Sequence, residues 1–196
     1  MLSIYRWKFI KNPYNLQNTF KSEKKILLSD KTIGKYLEIF EDAFLIEKVQ
    51  RYDVKGKKYI NSPYKYYFED LGLRNARLNF RQIDDGHIME NIIYNELIAR
   101  GYSVDVGVVV DRRNGQKVQK EIDFIVNSAD KRVYIQSAYE MHTENKVNNE
   151  LDSLLLSKDF FKKIVIRSDI PHTFTDENGI VHQNIIDFLL SDEDIL

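Results

Sequence analysis

The most regular alternation of apolar and polar positions lies at Glu121 to Tyr139, reading EIDFIVNSADKRVYIQSAY. Ile122, Phe124 and Val126 alternate with Glu121, Asp123 and Ile125, and Val133 and Ile135 alternate with Tyr134, Gln136 and Ala138. Side chains two apart share one face of a strand. The stretch therefore predicts two β-strands joined by a short polar turn, with Glu121 and Asp123 projecting together. If the strands pair as a hairpin, the face carrying Gln136 and Ala138 lies beside those acids. Two acids next to an amide, on a scaffold of Val and Ile, form a small candidate polar site.

Helical spacing appears on both sides of this stretch. Ser29 caps a predicted helix running to about Ala43, because its hydroxyl can accept a free backbone N–H. Ile33, Leu37 and Phe40, joined by Tyr36 and Phe44, make its apolar stripe. A strand in LIEKVQRYD, a Lys55-Gly56 turn with Asp53 nearby and a returning strand in KKYINSPYKYYF follow. Helices leading into a two-stranded wing make a winged-helix pattern. Lys31 and Lys35 on the helix, with Arg51, Lys55, Lys57 and Lys58 around the wing, are the candidate nucleic-acid-binding residues. Glu38, Glu41 and Asp42 dilute that positive field. Tyr59, Tyr64, Tyr66, Tyr67 and Phe68 suit wing and core packing better than base stacking.

Past Arg81, Asp84 or Asp85 can cap a helix through IMENIIYNELIAR, with Ile88, Ile92, Ile93 and Leu97 apolar and Gly101 just beyond its end. Glu90 sits one turn in. YSVDVGVVVD predicts a strand and RRNGQ a polar turn, after which come the paired strands described above. Thr143 caps a helix carrying Val147, Leu151, Leu154 and Leu155; FKKIVIRSD is a further strand, and a Glu177-Asn178-Gly179 turn precedes the short helix NIIDFLLS. The order α-β-β-β-α-β, with a terminal helical turn, predicts an α/β domain over 81–196 behind a small winged-helix-like domain over 1–80. No fixed-period repeat and no low-complexity segment occurs.

Composition narrows the classes. Hydrophobic residues are 43% and charged residues 30% of the 196, the profile of a soluble globular protein. No apolar run approaches the ~20 residues that span a bilayer, and MLSIYRWKFIKNPYN lacks the apolar core of a secretory signal. With no cysteine, disulfides, zinc-thiolate sites and thiol catalysis are excluded, and a cytoplasmic location is the expectation. The net charge of −1 hides a split: residues 1–80 carry 16 Lys and Arg against 9 Asp and Glu, the remainder 13 against 21. The basic half is the one suited to a polyanion, though two oppositely charged modules can equally attract one another.

The element order, with an acid on the first helix of the second domain and another on its second strand, resembles the restriction-endonuclease-like, or PD-(D/E)xK, nuclease fold. That resemblance implies acids holding Mg²⁺, which generates hydroxide and stabilises the departing phosphate oxygen. It implies Glu90, Asp123 and Gln136 as catalytic positions and Glu90, Glu121 and Asp123 as metal ligands. Two positions depart from the pattern. Gln136 stands where an acid belongs, and Ala138 stands where the lysine belongs. An amide ligates only through a neutral oxygen, and alanine neither orients a water nor stabilises charge. Lys120 or Lys146 could serve from another direction.

A wider resemblance rests on TIGKYLEIFEDAFLIEKVQRYD, KYYFEDLGLRN, MENIIYNEL, EIDFIV, YIQSAY and ENGIVHQNIIDFLL. These phrases are similar to the C-terminal part of a family of prokaryotic AAA-type ATPases, in which a P-loop module precedes a winged helix and a nuclease-like domain. No GxxxxGK[ST] occurs in this chain, so no ATP site is expected in it. The resemblance implies a degenerate nuclease-fold module that binds nucleic acid or protein, with a Mg²⁺-dependent DNA endonuclease as the alternative. DNA and other protein chains, including an ATPase module, are the implied partners, and no membrane is. The four histidines show no HExxH and no i, i+4 pairing, which suits surface or capping roles; His87, three residues before Glu90, could share its helix face. No GxSxG and no GxGxxG is present.

Overall fold

The computed structural model describes residues 16–18, 20–81, 84–113, 115–128 and 131–196. The N-terminal stretch 1–15, Asn114 of the polar turn and Ala129 and Asp130 of the hairpin turn lie outside the described residues. Two units are distinguished. One holds the described residues up to Arg51 together with Ile60–Asp84, and the other holds Tyr52–Tyr59 with Asp85–Leu196.

In the first unit, Phe20–Lys24 forms a π turn and α1 spans Asp30–Asp42. Ser29 keeps extended backbone angles and its Oγ accepts the Thr32 N–H at 3.0 Å, the predicted cap. The buried face of α1 is narrower than its spacing predicts. Ile33 and Leu37 pack with Leu16, Ile46 and Tyr66, whereas Tyr36 is 52% and Phe44 81% exposed. Phe44 lies past the end of α1 with φ +53°, outside the helical spacing that defines the stripe. Strand β1 spans Ile46–Asp53 and β2 spans Lys58–Phe68. A short helix α2, Leu71–Arg77, starts where the Asp70 carboxylate accepts the Leu73 N–H at 2.9 Å.

The second unit opens with the tip of that hairpin, where the Asp53 carboxylate accepts the Gly56 N–H at 2.8 Å. Tip and sheet are joined through Val54 N–H to the Val108 carbonyl, 3.0 Å. Helix α3 spans Asp85–Ala99, β3 Ser103–Arg113, β4 Gln116–Ser128, β5 Lys131–Ala138, α4 Glu144–Leu155, β6 Lys162–Arg167, β7 Phe174–Thr175, β8 Val181–Asn184 and α5 Ile185–Leu190. Within this unit the strands lie in the order β3-β4-β5-β6-β8-β7. β3, β4 and β5 are antiparallel neighbours, β5-β6 and β6-β8 are parallel, and β7 is antiparallel to β8. The unit is a mixed α/β sheet. Its parallel pair β5-β6 is connected through α4, the helical crossover that parallel neighbours require.

Adjacent residues of β4 serve the two faces. Ile125 joins Tyr134, Leu151 and Leu154 in the core beneath α4, and the Phe124 ring packs at 6.3 Å from Tyr94 of α3. The two helices therefore cover opposite faces of the sheet. The burial on α3 is displaced from the expected stripe: Met89, Glu90, Ile93, Tyr94 and Leu97 are buried, whereas Ile88 and Ile92 are only partly so. Among the described residues no helix is long and apolar enough to cross a membrane.

Candidate functional site

The site is assembled by a break in the regularity of β4. Pairing with β3 shifts between Asp105 and Gly107, so that two steps on β3 face three on β4, a β-bulge. Gly107 makes the close approach possible. A Cβ there would stand 2.8 Å from Ile122 Cβ and 3.1 Å from the Ile125 side chain. Ile122 and Ile125 consequently share one face, which strict alternation forbids, and spacing alone no longer places Glu121 beside Asp123.

Asp123 sits in that bulge, 8% exposed, just past the last paired residue Phe124. Its Oδ2 accepts the Ser137 N–H at 3.0 Å, taking the place of a strand carbonyl. Gln136, 7% exposed, faces the cluster with both ends of its amide engaged. Oε1 accepts the Asp123 N–H at 3.4 Å and the Ser153 hydroxyl at 3.3 Å, while Nε2 donates to Glu150 Oε2 at 3.1 Å. The chemistry explains the amide. An ionised carboxylate at this position could only accept, and would set a third negative charge between Asp123 and Glu150.

Glu150 and Ser153 come from α4 and complete the cluster from outside the strand pair. A signal existed: Glu150 lies three residues after Val147 and four before Leu154, inside the apolar stripe. Burial pushes the Glu150 carboxyl above its usual range, the Asp123 charge adds to that, and the Gln136 hydrogen bond, Lys146 and Lys120 oppose it. Lys120 is paired with Asp152 at 3.5 Å. Both lysines considered as stand-ins for the missing ammonium thus act on Glu150. Leu155, read as part of the buried stripe, is 44% exposed.

The remaining expected residues are distributed elsewhere. Glu90 is buried on α3, one turn before Tyr94. Among the described residues no group of three or more His, Asp or Glu side chains is arranged to hold a metal ion, so Glu90, Glu121 and Asp123 are not gathered into one. Ala138 is 3% exposed and stands in register with Arg167 on β6. That guanidinium is committed: Nε and Nη2 donate to the two Asp169 oxygens at 2.8 and 2.9 Å, and Nη1 lies 3.4 Å from His182 Nδ1. These hydrogen bonds hold the Asp169 carboxyl down at about 2. His182 corrects the surface reading of the histidines. It is 3% exposed, stacked on Phe174 at 4.7 Å, with Nε2 3.3 Å from Asp176. Because arginine only donates, Nδ1 is the acceptor and Nε2 carries the proton.

The basic candidates divide. Lys31 and Lys35 are exposed on α1, and Lys57 and Lys58 are exposed at the hairpin tip. Lys55 pairs with Asp111 at 3.6 Å. Arg51 is a correction: at 5% exposure its guanidinium is enclosed by protein and cannot reach a phosphate in this conformation. Tyr59 donates to the buried Asp105 at 3.2 Å and meets Tyr52 edge-on at 5.4 Å, a packing role.

Fold and site define a two-unit protein whose mixed α/β unit carries a buried Asp-Gln-Glu cluster between a sheet and a crossover helix. Residues 85–182, half of the chain, match the family described as Domain of unknown function (DUF4143), and the chain belongs to that family. Residues 11–84 match a second family, Domain of unknown function (DUF8612). An uncharacterized protein of Haemophilus influenzae is 40% identical over 179 residues, covering 91% of this chain and 42% of that protein. An uncharacterized protein of Methanocaldococcus jannaschii is 32% identical over 137 residues, 70% of this chain and 28% of its own length. The chain therefore spans less than half the length of either relative. The crystal structure of protein VC1899 from Vibrio cholerae aligns over 94% of this chain and 51% of its own, at TM-score 0.36 and 13% identity, too low to establish a shared fold.

Proposed function

We propose that the chain is a winged-helix and nuclease-fold module of an AAA-type ATPase-like system, in which the α/β unit is a degenerate restriction-endonuclease-like domain that binds nucleic acid or protein without cutting. The carrying observation is Gln136, whose amide spends both ends inside the protein, on Asp123, Ser153 and Glu150. A polar cluster closed upon itself in this way, with buried Ala138 at the lysine position, suits a retained scaffold better than a working centre. Exposed Lys31, Lys35, Lys57 and Lys58 would supply phosphate contacts. The test pairs two measurements on the 196-residue chain. Duplex DNA should bind with an affinity that falls steeply with salt and drops in Lys31→Glu/Lys35→Glu, and Mg²⁺ or Mn²⁺ should produce no cleavage.

The alternative, a Mg²⁺-dependent DNA endonuclease with a rearranged site, draws on the Lys120 and Lys146 charges acting on the same Glu150 that faces Gln136. Metal-dependent nicking abolished by both Asp123→Asn and Glu150→Gln would establish it and overturn the first reading.

A further inference from the structure

The first unit holds an apolar hollow of about 740 Å³. Leu28, Leu37, Phe40 and Phe68 wall it, and Tyr36, Leu45 and Leu73 stand at its rim, 52%, 42% and 61% exposed. Isolated exposed apolar side chains need no explanation, but a hollow with a continuous apolar rim marks an interaction site. Arg74 and Arg77, one helical turn apart on α2, border it. The Arg74 guanidinium lies 5.8 Å from the centre of the Phe68 ring and donates to the Asn75 side chain at 2.8 Å. Burial against this wall works against its charge, and Asp84 offsets that only in part.

We propose that this hollow receives an amphipathic helix from a protein segment outside the 196 residues, one whose apolar face is flanked by acidic side chains. The apolar walls fit side chains projecting at i, i+3/i+4 and i+7 from a helix laid in a groove. A partner carboxylate would meet Arg74 and Arg77, where a planar guanidinium can be engaged at two points. The curated relatives are more than twice as long as their matched stretch, so chain able to supply such a helix exists beside this unit in those proteins. The rim is open on the side of Tyr36 and Leu73, which favours a macromolecular cover over an enclosed small molecule.

The absence of cysteine gives a clean test. Leu73→Cys, already exposed, takes a single environment-sensitive dye, and the whole chain is titrated with designed 16-residue peptides. One carries Leu and Phe on one face flanked by Glu, a second has Lys in place of Glu, and a third is scrambled. The acidic helix should bind saturably with a blue shift, and more tightly than the lysine version by about tenfold or more. Arg77→Glu should reverse that order without altering the unfolding midpoint. Three results overturn the proposal: equal response to acidic and basic helices, no saturable binding of the acidic helix, or binding of dodecanoate at one per chain while the helix fails. Self-association of the unlabelled chain that is lost in Leu73→Glu also overturns it, by assigning the face to a second copy.

Discussion

Two helix ends show how differently the two units are finished. In the α/β unit α3 closes on Gly101 at φ +83°, with the Tyr102 N–H returning to the Leu97 carbonyl at 3.1 Å. In the first unit α1 makes the same closure, Leu45 N–H to Phe40 carbonyl at 2.9 Å, but the residue in the left-handed region is Phe44. Glycine takes that conformation freely, and a residue with a Cβ does not. The contrast continues in the packing. Ile122, Phe124, Ile125, Ile135 and Leu154 are fully buried in the second unit, while Leu27, Tyr36, Phe44, Leu73 and Phe80 of the first are more than half exposed. The second unit has exposed apolar side chains of its own, Phe160, Ile186 and Leu190, and a left-handed Lys158. What sets the first apart is that Tyr36, Leu45 and Leu73 stand together at the rim of one hollow.

The same truncation in each unit should separate them most widely. Leu154→Ala removes a wholly enclosed side chain from the core under α4 and should cost about 2–5 kcal/mol, read as a lowered urea midpoint. Leu73→Ala, at 61% exposure, should stay within about 0.5 kcal/mol of the parent. A Leu73→Ala loss as large as that of Leu154→Ala would mean that the hollow is already filled.

Gly107→Ala comes next. The new methyl would press on Ile122 and Ile125 at 2.8–3.1 Å, at the bulge that aims Asp123. Overpacking of this kind costs about 1–3 kcal/mol. The variant should also lose amide hydrogen-exchange protection at Ser137, whose N–H rests on the Asp123 carboxylate. Normal stability and unchanged protection there would show that the bulge does not position the site.

Phe44→Gly should act in the opposite direction. Relieving a left-handed non-glycine residue at an exposed helix end should stabilise the chain by about 1 kcal/mol, seen as a higher melting temperature. A lowered melting temperature would show that the Phe44 ring contributes contacts its exposure does not suggest.

Much of this division is legible in the sequence, and what escapes it has definite causes. The caps at Ser29 and Thr143, the strand pair β4-β5 and the Asp176–Gly179 turn follow from local chemistry: a hydroxyl before a periodic run, alternation, and a glycine at φ +75°. The polar site is only half legible. Asp123 and Gln136 meet as alternation and pairing suggest, but the bulge that brings them together depends on a missing Cβ at Gly107, on another strand. Glu150 arrives from a helix 14 residues beyond Gln136 and shows in the sequence only as an acid within an apolar stripe. Arg51 and His182 look like surface residues because charge and polarity predict exposure on average, and burial of a particular one is decided by tertiary partners. The hollow in the first unit could not be read at all, since the α1 stripe is apolar whether or not Tyr36 and Phe44 find company.

The smallest expected effect bears on whether the Asp-Gln-Glu cluster is closed in upon itself. Burial and the Asp123 charge raise the Glu150 carboxyl above its ordinary 4.5, so folding favours its protonated form. The stability contributed by the protonated group is complete below 4.5 and is lost as pH rises through the raised value. Glu150→Gln keeps the shape, and its carbonyl can still accept from Gln136 Nε2 while carrying no charge. The variant should therefore be more stable than the parent at pH 8, with the difference shrinking to nothing as the pH is lowered past 4.5. Denaturant midpoints at pH 4, 6 and 8 measure this directly. If Glu150→Gln is instead weaker at pH 8 and recovers in acid, the fold favours the ionised carboxylate. Lys120 and Lys146 would then outweigh Asp123, as a rearranged catalytic centre would require and a closed scaffold would not.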